Sequence, residues 1–226
     1  TLFNKIIIKI KRNIMKNKTT HYLIILDKSG SMQDCKDQAM SSYNEQLESI
    51  QNLQKEFPEQ DFTISLTVFN DYTDHIYFNN NPKKSGILND KNYRPNGMTA
   101  LYDAIGKSVT KLQHKVGKAV SNNLANIVVI IITDGYENSS KEYSYKHISS
   151  MIRELESTRK YTFSYLGSTL DAVDIAQKLN IKRKNAMKFD KEDYKRTTTV
   201  LNKSYKAMAM KKRNSEENYD EFLNHE

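Results

Sequence analysis

Hydrophobic residues along this chain follow two different periods, which together predict six strands and five helices. Short apolar runs or alternating apolar positions, the pattern of strands, occur at 22–26, 62–68, 75–78, 127–132, 161–166 and 186–189. Apolar positions spaced three and four residues apart, the pattern of one helix face, occur at 32–53, 101–116, 148–155, 170–179 and 194–208. Strands and helices therefore alternate along most of the chain.

This alternation predicts an α/β fold of the Rossmann-like, doubly wound type. We expect a mostly parallel six-stranded sheet with helices on both faces. The strand at 75–78 is the exception, because the turn before it is too short for a crossover, and it should form an antiparallel edge. No repeat or linker divides the sequence. We expect one domain at 21–210, a basic leader or arm at 1–20 and a polar, frayed tail at 211–226.

The net charge of +8 raises the possibility of nucleic-acid binding. Residues 1–14 carry four of these positive charges and no acid, and Met15 directly precedes the first strand pattern as a possible initiator. The apolar residues before Met15 are too few to span a bilayer, and no cleavage site for a signal peptide follows them. A second basic cluster lies at 211–213. Neither cluster carries a nucleic-acid-binding motif, so this function remains an alternative that charge alone suggests.

Cys35 is the only cysteine, so the chain cannot form an internal disulfide or a cysteine-based zinc site. This composition is typical of a reducing compartment, and we expect a cytoplasmic protein. The five histidines show no metal-ligand spacing.

Three polar segments lie where a strand ends or a helix begins. They are Asp27-Lys28-Ser29-Gly30-Ser31 after the first strand, Thr99 before the helix at 101–116, and Thr133-Asp134-Gly135 after the strand at 127–132. In a parallel sheet such loops meet at one edge. Each segment alone is better explained as a helix cap or a turn. Together they predict one divided metal site, and a family resemblance, given below, implies which five side chains form it: Asp27, Ser29, Ser31, Thr99 and Asp134.

The chemistry of these five side chains suits a hard cation. They offer oxygen donors and no His or Cys, which favours Mg²⁺, with Mn²⁺ as a possible substitute. The two carboxylates balance the charge of the ion, and the three hydroxyls can coordinate it without adding negative charge.

The order of these segments resembles the metal-ion-dependent adhesion site of the von Willebrand factor type A family. The resemblance runs from about His21 to the last predicted helix. It implies that Asp27, Ser29, Ser31, Thr99 and Asp134 bind the ion, directly or through water. It also implies a non-enzymatic protein-interaction module whose Mg²⁺ keeps one coordination position open for an Asp or Glu carboxylate of a partner. Some family members have a second metal site built on paired acids, but here Asp34 is followed by Cys35.

The resemblance also bears on partners. Stand-alone family members from bacteria and phages often act beside ATPases, kinases or chelatase-like assemblies, which implies the cytoplasm of a bacterial or phage-infected cell. Residues beside the metal ligands are expected to contact the partner. They are Tyr136, Glu137, Asn138, Tyr102 and Lys28.

An enzyme is the main alternative. An aspartate that ends a buried strand and precedes a tight loop also describes metal-dependent phosphatases related to haloacid dehalogenases. Their phosphoryl transfer needs a second acid two residues after the first. This chain has Ser29 at that position, so the sequence favours a site that holds a ligand over one that transforms it.

Overall fold

The computed structural model describes residues 19–214 and 220–223. The described strands are β1 (Thr19–Asp27), β2 (Asp61–Phe69), β3 (Thr73–Asn80), β4 (Ala125–Thr133), β5 (Tyr161–Gly167) and β6 (Ala186–Lys188). The α-helices are α1 (Lys36–Glu56), α2 (Leu101–Ser121), α3 (Tyr145–Ser157), α4 (Ala172–Lys178) and α5 (Tyr194–Arg213). Short 3₁₀ helices lie at Gly30–Cys35, Pro82–Lys84 and Arg183–Asn185. The expected basic arm lies outside the described residues, except for its last two.

The six strands form one sheet in the order β3-β2-β1-β4-β5-β6. All neighbouring strands are parallel except β2 and β3, which are antiparallel. This confirms the predicted fold class, including the antiparallel edge strand. β1 and β4 lie side by side at the centre, and nearly all of their residues are buried. After β1 the chain continues toward the β3 edge of the sheet, and after β4 it continues toward the β6 edge. The loops that follow β1 and β4 therefore diverge and leave a crevice between them. Folds of the α/β class bind ligands at such a switch point.

Helices cover both faces of the sheet. Successive side chains of β1 point to opposite faces, and both sets are apolar, so each face needs a cover. Tyr22, Ile24 and Leu26 face the core that α1 and α5 close. Leu23 and Ile25 face the opposite core, which α2, α3 and α4 close. The site edge is therefore held from both sides by packed helices.

Two described residues of the expected polar tail are apolar and packed in the core. Phe222 and Leu223 are each 2% exposed and belong to the core under α1 and α5. The Phe222 ring lies 5.4 Å from the ring of Tyr205 and 6.4 Å from that of Tyr22. The segment is polar on average, so the sequence interpretation overlooked its two apolar residues. Their burial removes apolar surface from water and stabilises the fold.

The basic cluster at 211–213 is also not an open positive surface. Helix α5 continues through it to Arg213. Lys212 is 4% exposed and donates a hydrogen bond to Thr20 Oγ1 at 2.7 Å. Arg213 donates to Glu59 Oε1 at 2.9 Å and lies over the ring of Phe57. Two of the three cations thus serve the fold, which weakens the case for nucleic-acid binding there.

Candidate metal centre

Asp27 ends β1 and is completely buried. Its carboxylate accepts hydrogen bonds from Ser29 N at 2.6 Å and from Thr133 Oγ1 at 2.5 Å, and its carbonyl oxygen accepts one from the Tyr93 hydroxyl at 2.6 Å. Burial raises the pKa of Asp27 to about 6, although the hydrogen bonds from Thr133 and Ser29 act in the opposite direction. Ionised Asp27 is therefore costly to bury, and a nearby cation would stabilise it.

Ser29 and Ser31 link the loop after β1 to the loop after β4. Their hydroxyl oxygens are 3.3 Å apart, and Ser31 Oγ donates to Asp134 Oδ1 at 2.7 Å. Ser29 is the N-cap residue of the 3₁₀ helix that begins at Gly30, and Ser31 lies in its first turn. The two loops, 103 residues apart in sequence, thus share a direct side-chain contact at the predicted site.

Thr99 reaches the site on a loop that is bonded to both neighbouring loops. The carbonyl oxygen of Gly97 accepts from Gly30 N at 3.0 Å, and Thr99 N donates to Asn138 Oδ1 at 2.8 Å. A Cβ atom added to Gly135 would lie 3.4 Å from Thr99 Oγ1 and 3.7 Å from Ser31 Oγ. Both hydroxyls therefore lie beside the residue that follows Asp134.

The structure brings the five predicted side chains to one point at the carboxyl edge of the sheet. One buried oxygen there, Asp134 Oδ2, accepts no hydrogen bond from a hydroxyl or backbone N–H group. The residues that the structure describes contain no group of three or more His, Cys, Asp and Glu side chains that could hold a metal. Two carboxylates and three hydroxyls fit a hard divalent cation. Metal binding by these residues stays a prediction.

Lys191 is a neighbour of the site that the sequence interpretation missed. It follows β6, and its Nζ forms an ion pair with Asp134 Oδ2 at 2.5 Å. Burial alone would lower the pKa of Lys191, but the nearby carboxylate of Asp134 outweighs burial and raises it. The one feature of the sequence that could have indicated Lys191 is its position shortly after a parallel strand. Loops that follow parallel strands lie at the same edge of the sheet.

Two of the expected partner contacts, Glu137 and Asn138, also support the loops of the site, and their contact with a partner stays a prediction. The Glu137 carboxylate accepts from the backbone N–H groups of Tyr102, Ser139 and Ser140. Asn138 bonds Thr99 through both its side chain and its backbone N–H. The first N–H groups of α2 have no acceptors within the helix, so acceptors from elsewhere must bind them. Glu137 supplies one of these acceptors.

The other three expected contacts lie around the rim of the site. Tyr136 is 57% exposed, and its hydroxyl donates to Asp171 Oδ1 at 2.9 Å. Lys28 forms an ion pair with Asp74 at 2.9 Å, and Tyr102 is half-buried. Tyr102 and Tyr136 line a cavity of about 200 Å³ that reaches Gly135 beside the site. Their contact with a partner stays a prediction.

Comparison with known proteins decides the family. The model of the von Willebrand factor type A domain matches residues 23–216, which is most of the chain. The chain belongs to the von Willebrand factor type A family. No curated protein sequence matches the chain. None of the described helices is long and apolar enough to cross a membrane.

Solved structures share the fold of this von Willebrand factor type A domain at low sequence identity. The ArnB paralog VWA2 from Sulfolobus acidocaldarius is 19% identical with a TM-score of 0.52, and the match covers 83% of this chain and 45% of that one. Proximal thread matrix protein 1 from the mussel byssus, with a zinc-occupied MIDAS motif, is 14% identical with a TM-score of 0.54, covering 84% and 46%. The manganese-loaded TRAP protein of Plasmodium vivax is 17% identical with a TM-score of 0.50, covering 79% and 70%. This chain thus spans less than half the length of the first two.

Proposed function

We propose that this chain is a metal-dependent protein-interaction module that holds Mg²⁺ on Asp27, Ser29, Ser31, Thr99 and Asp134. The observation that carries the proposal is the convergence of these side chains, with Ser31 Oγ bonded to Asp134 Oδ1 and Thr99 Oγ1 beside Gly135. Two structures of similar fold are described as zinc-occupied and manganese-loaded, which supports a divalent ion at this sheet edge and makes Mn²⁺ a suitable probe.

The chain's own residues would hold the ion without saturating it. Asp27 is oriented by Ser29 N and Thr133 Oγ1, so it offers a fixed negative charge. The three hydroxyls add no further charge, which leaves a bound ion electrophilic. When bound, the ion supplies an open coordination position for an Asp or Glu carboxylate of a partner protein. Tyr136 and Tyr102, which line the cavity beside Gly135, would contact residues next to that carboxylate.

The proposed module is not an enzyme, because Ser29 stands where a phosphoryl-transfer enzyme of the dehalogenase type needs its second acid. Cys35 is buried and unpaired, which supports a reducing compartment such as the cytoplasm. An ATPase, a kinase or a chelatase-like assembly of a bacterial or phage-infected cell remains the kind of partner we propose.

Water-proton relaxation of the Mn²⁺-loaded protein tests the open coordination position. Acetate should displace metal-bound water and lower the relaxation enhancement, whereas acetamide, which carries no charge, should have much less effect. The Ser31→Ala variant should bind Mn²⁺ on the order of tenfold more weakly, because it loses a hydroxyl ligand. Ser41→Ala, in an exposed position on α1, is the matched control and should bind as the wild type does. Mn²⁺ binding without any response to acetate would contradict carboxylate capture.

A further inference from the structure

Lys191 reaches the candidate metal centre from the loop between β6 and α5. Its Nζ is 2.5 Å from Asp134 Oδ2 and donates a hydrogen bond to the carbonyl oxygen of Ser31 at 3.0 Å. These acceptors belong to the loops after β4 and β1. The ammonium group therefore bridges two of the three segments that form the centre.

Burial makes the contact with Asp134 the strongest charge interaction of Lys191. The Asp134 side chain is 0% exposed and that of Lys191 is 27% exposed. The next acid, Asp34, is 4.0 Å away and 83% exposed, so water screens it. A charge pair in the buried position is screened much less by salt and water.

The ammonium and a divalent ion require the same atom. Asp134 Oδ2 is a buried carboxylate oxygen that Lys191 contacts as an ion pair, and a carboxylate oxygen at this position is also what a divalent ion would bind. Two cations within a few ångströms of each other repel strongly in a partly buried site. Occupation of Asp134 Oδ2 by one cation therefore disfavours the other.

We propose that Lys191 is a tethered competitor of the divalent ion, which lowers the metal affinity of the centre and must leave Asp134 Oδ2 when the ion binds. This inference rests on the proposed function. The movement can be small, because lysine has a flexible four-carbon stem. The flanking contacts can stay in place: Asp190 Oδ1 accepts from Glu192 N, and Asp193 caps α5 by accepting from Arg196 N. Lys191 thus sets the divalent-ion concentration at which the module becomes competent to bind.

Calorimetric titration with Mn²⁺ at fixed pH and ionic strength tests the competition. Lys191→Met and Lys191→Gln should bind Mn²⁺ on the order of tenfold more tightly than the wild type, because the competing charge is gone. Lys188→Met is the matched control: it removes the same charge from an exposed position three residues earlier. Its affinity should stay within about twofold of the wild type, since exposed charges are screened.

Thermal unfolding provides a second readout that does not depend on the titration. In EDTA, both Lys191 variants should melt below the wild type, because Asp134 loses its counter-charge. In saturating Mn²⁺ the deficit should disappear or reverse. A lysine that only supports the fold would lower the melting temperature equally in both conditions, and that result would overturn the inference.

The possible failures are distinguishable. Wild-type binding of Mn²⁺ with equal or weaker binding by both Lys191 variants would overturn the competition and leave the proposed function intact. Absence of Mn²⁺ binding in the wild type and in all three variants would overturn the proposed function and this inference with it.

Discussion

At the scale of single residues, the candidate centre depends on side chains that orient the predicted ligands. Asn138 accepts from Thr99 N at 2.8 Å and donates its own backbone N–H to Thr99 O at 3.0 Å. Thr133 and Ser29 orient Asp27 in the same way. Such supporting groups usually matter to metal affinity nearly as much as the ligands themselves.

Asn138→Ala should weaken Mn²⁺ binding on the order of tenfold while the fold is retained, because Thr99 loses the acceptor that fixes its backbone. Calorimetry measures the affinity, and circular dichroism checks the fold. Ser139→Ala is the matched control, since the Ser139 hydroxyl is buried and has no hydrogen-bond partner. Unchanged affinity in Asn138→Ala would show that Thr99 does not need this support.

His21 makes the stability of the protein depend on pH. Burial, followed by the nearby charge of Lys212, lowers the pKa of His21 from 6.5 to about 4. The unfolded chain therefore takes up a proton near pH 6.5, whereas the folded chain does so only near pH 4. The contribution of His21 to the free energy of unfolding is therefore greatest above pH 6.5 and is lost as the pH falls toward 4. The total loss is about 3 kcal/mol.

Urea unfolding of His21→Gln and wild type across pH 4 to 7 measures this contribution. The difference between the two curves isolates His21 from the carboxyl groups, Asp27 included, that titrate in the same range. His114→Gln, at an exposed position, is the control and should follow the wild type. Parallel curves for His21→Gln and wild type would contradict the assignment.

At the scale of elements, apolar periodicity was enough to place the six strands and the five α-helices of the described residues, because β1 and β4 are buried runs and the α-helices each have one apolar face. The periodicity was less informative about where each element begins and ends. Met32 and Cys35 fit the period of the first helix, yet they lie in a 3₁₀ helix that precedes α1. The loops that carry Ser31 and Thr99 are held by backbone hydrogen bonds, such as Gly30 N to Gly97 O, that no side-chain pattern reveals.

Gly97 is the loop residue at which an added side chain should cost most. Its φ of +75° favours glycine, and a Cβ atom would collide with Asp71 Oδ2. We expect Gly97→Ala to lower the free energy of unfolding by roughly 1–3 kcal/mol and to weaken Mn²⁺ binding. Gly117→Ala, within α2 and with open space around its Cβ, should instead gain roughly 0.5–1 kcal/mol. Equal stability of the two variants in urea would contradict this account.

At the scale of the whole molecule, the sheet order explains why three short segments could be predicted to meet at one edge of the sheet. β1 and β4 are neighbours, so Asp27 and Thr133 meet although 106 residues separate them. Lys191 and Phe222 could not be predicted in this way. Lys191 lies in a polar loop with no motif, and Phe222 lies in a polar segment and contacts Tyr22 only through tertiary packing.

Phe222→Ala should lower the free energy of unfolding by roughly 3–5 kcal/mol, because it leaves a cavity against Tyr22 and Tyr205. Leu170→Ala is the control: Leu170 is 91% exposed, and its loss should change stability by less than about 0.5 kcal/mol. Urea unfolding measures both. A Phe222→Ala variant as stable as Leu170→Ala would show that the C-terminal segment is not part of the core.

The most direct test of the central claim is calorimetric titration of Mg²⁺ into the wild type and Thr99→Ala. The substitution removes one hydroxyl and leaves the net charge unchanged, so any loss of affinity reports coordination and not general electrostatics. Thr199→Ala, at an exposed position on α5, is the control. We predict one Mg²⁺ per chain in the wild type and the control, and binding on the order of tenfold weaker or worse in Thr99→Ala. No saturable binding by the wild type, or equal binding by Thr99→Ala, would contradict the metal centre.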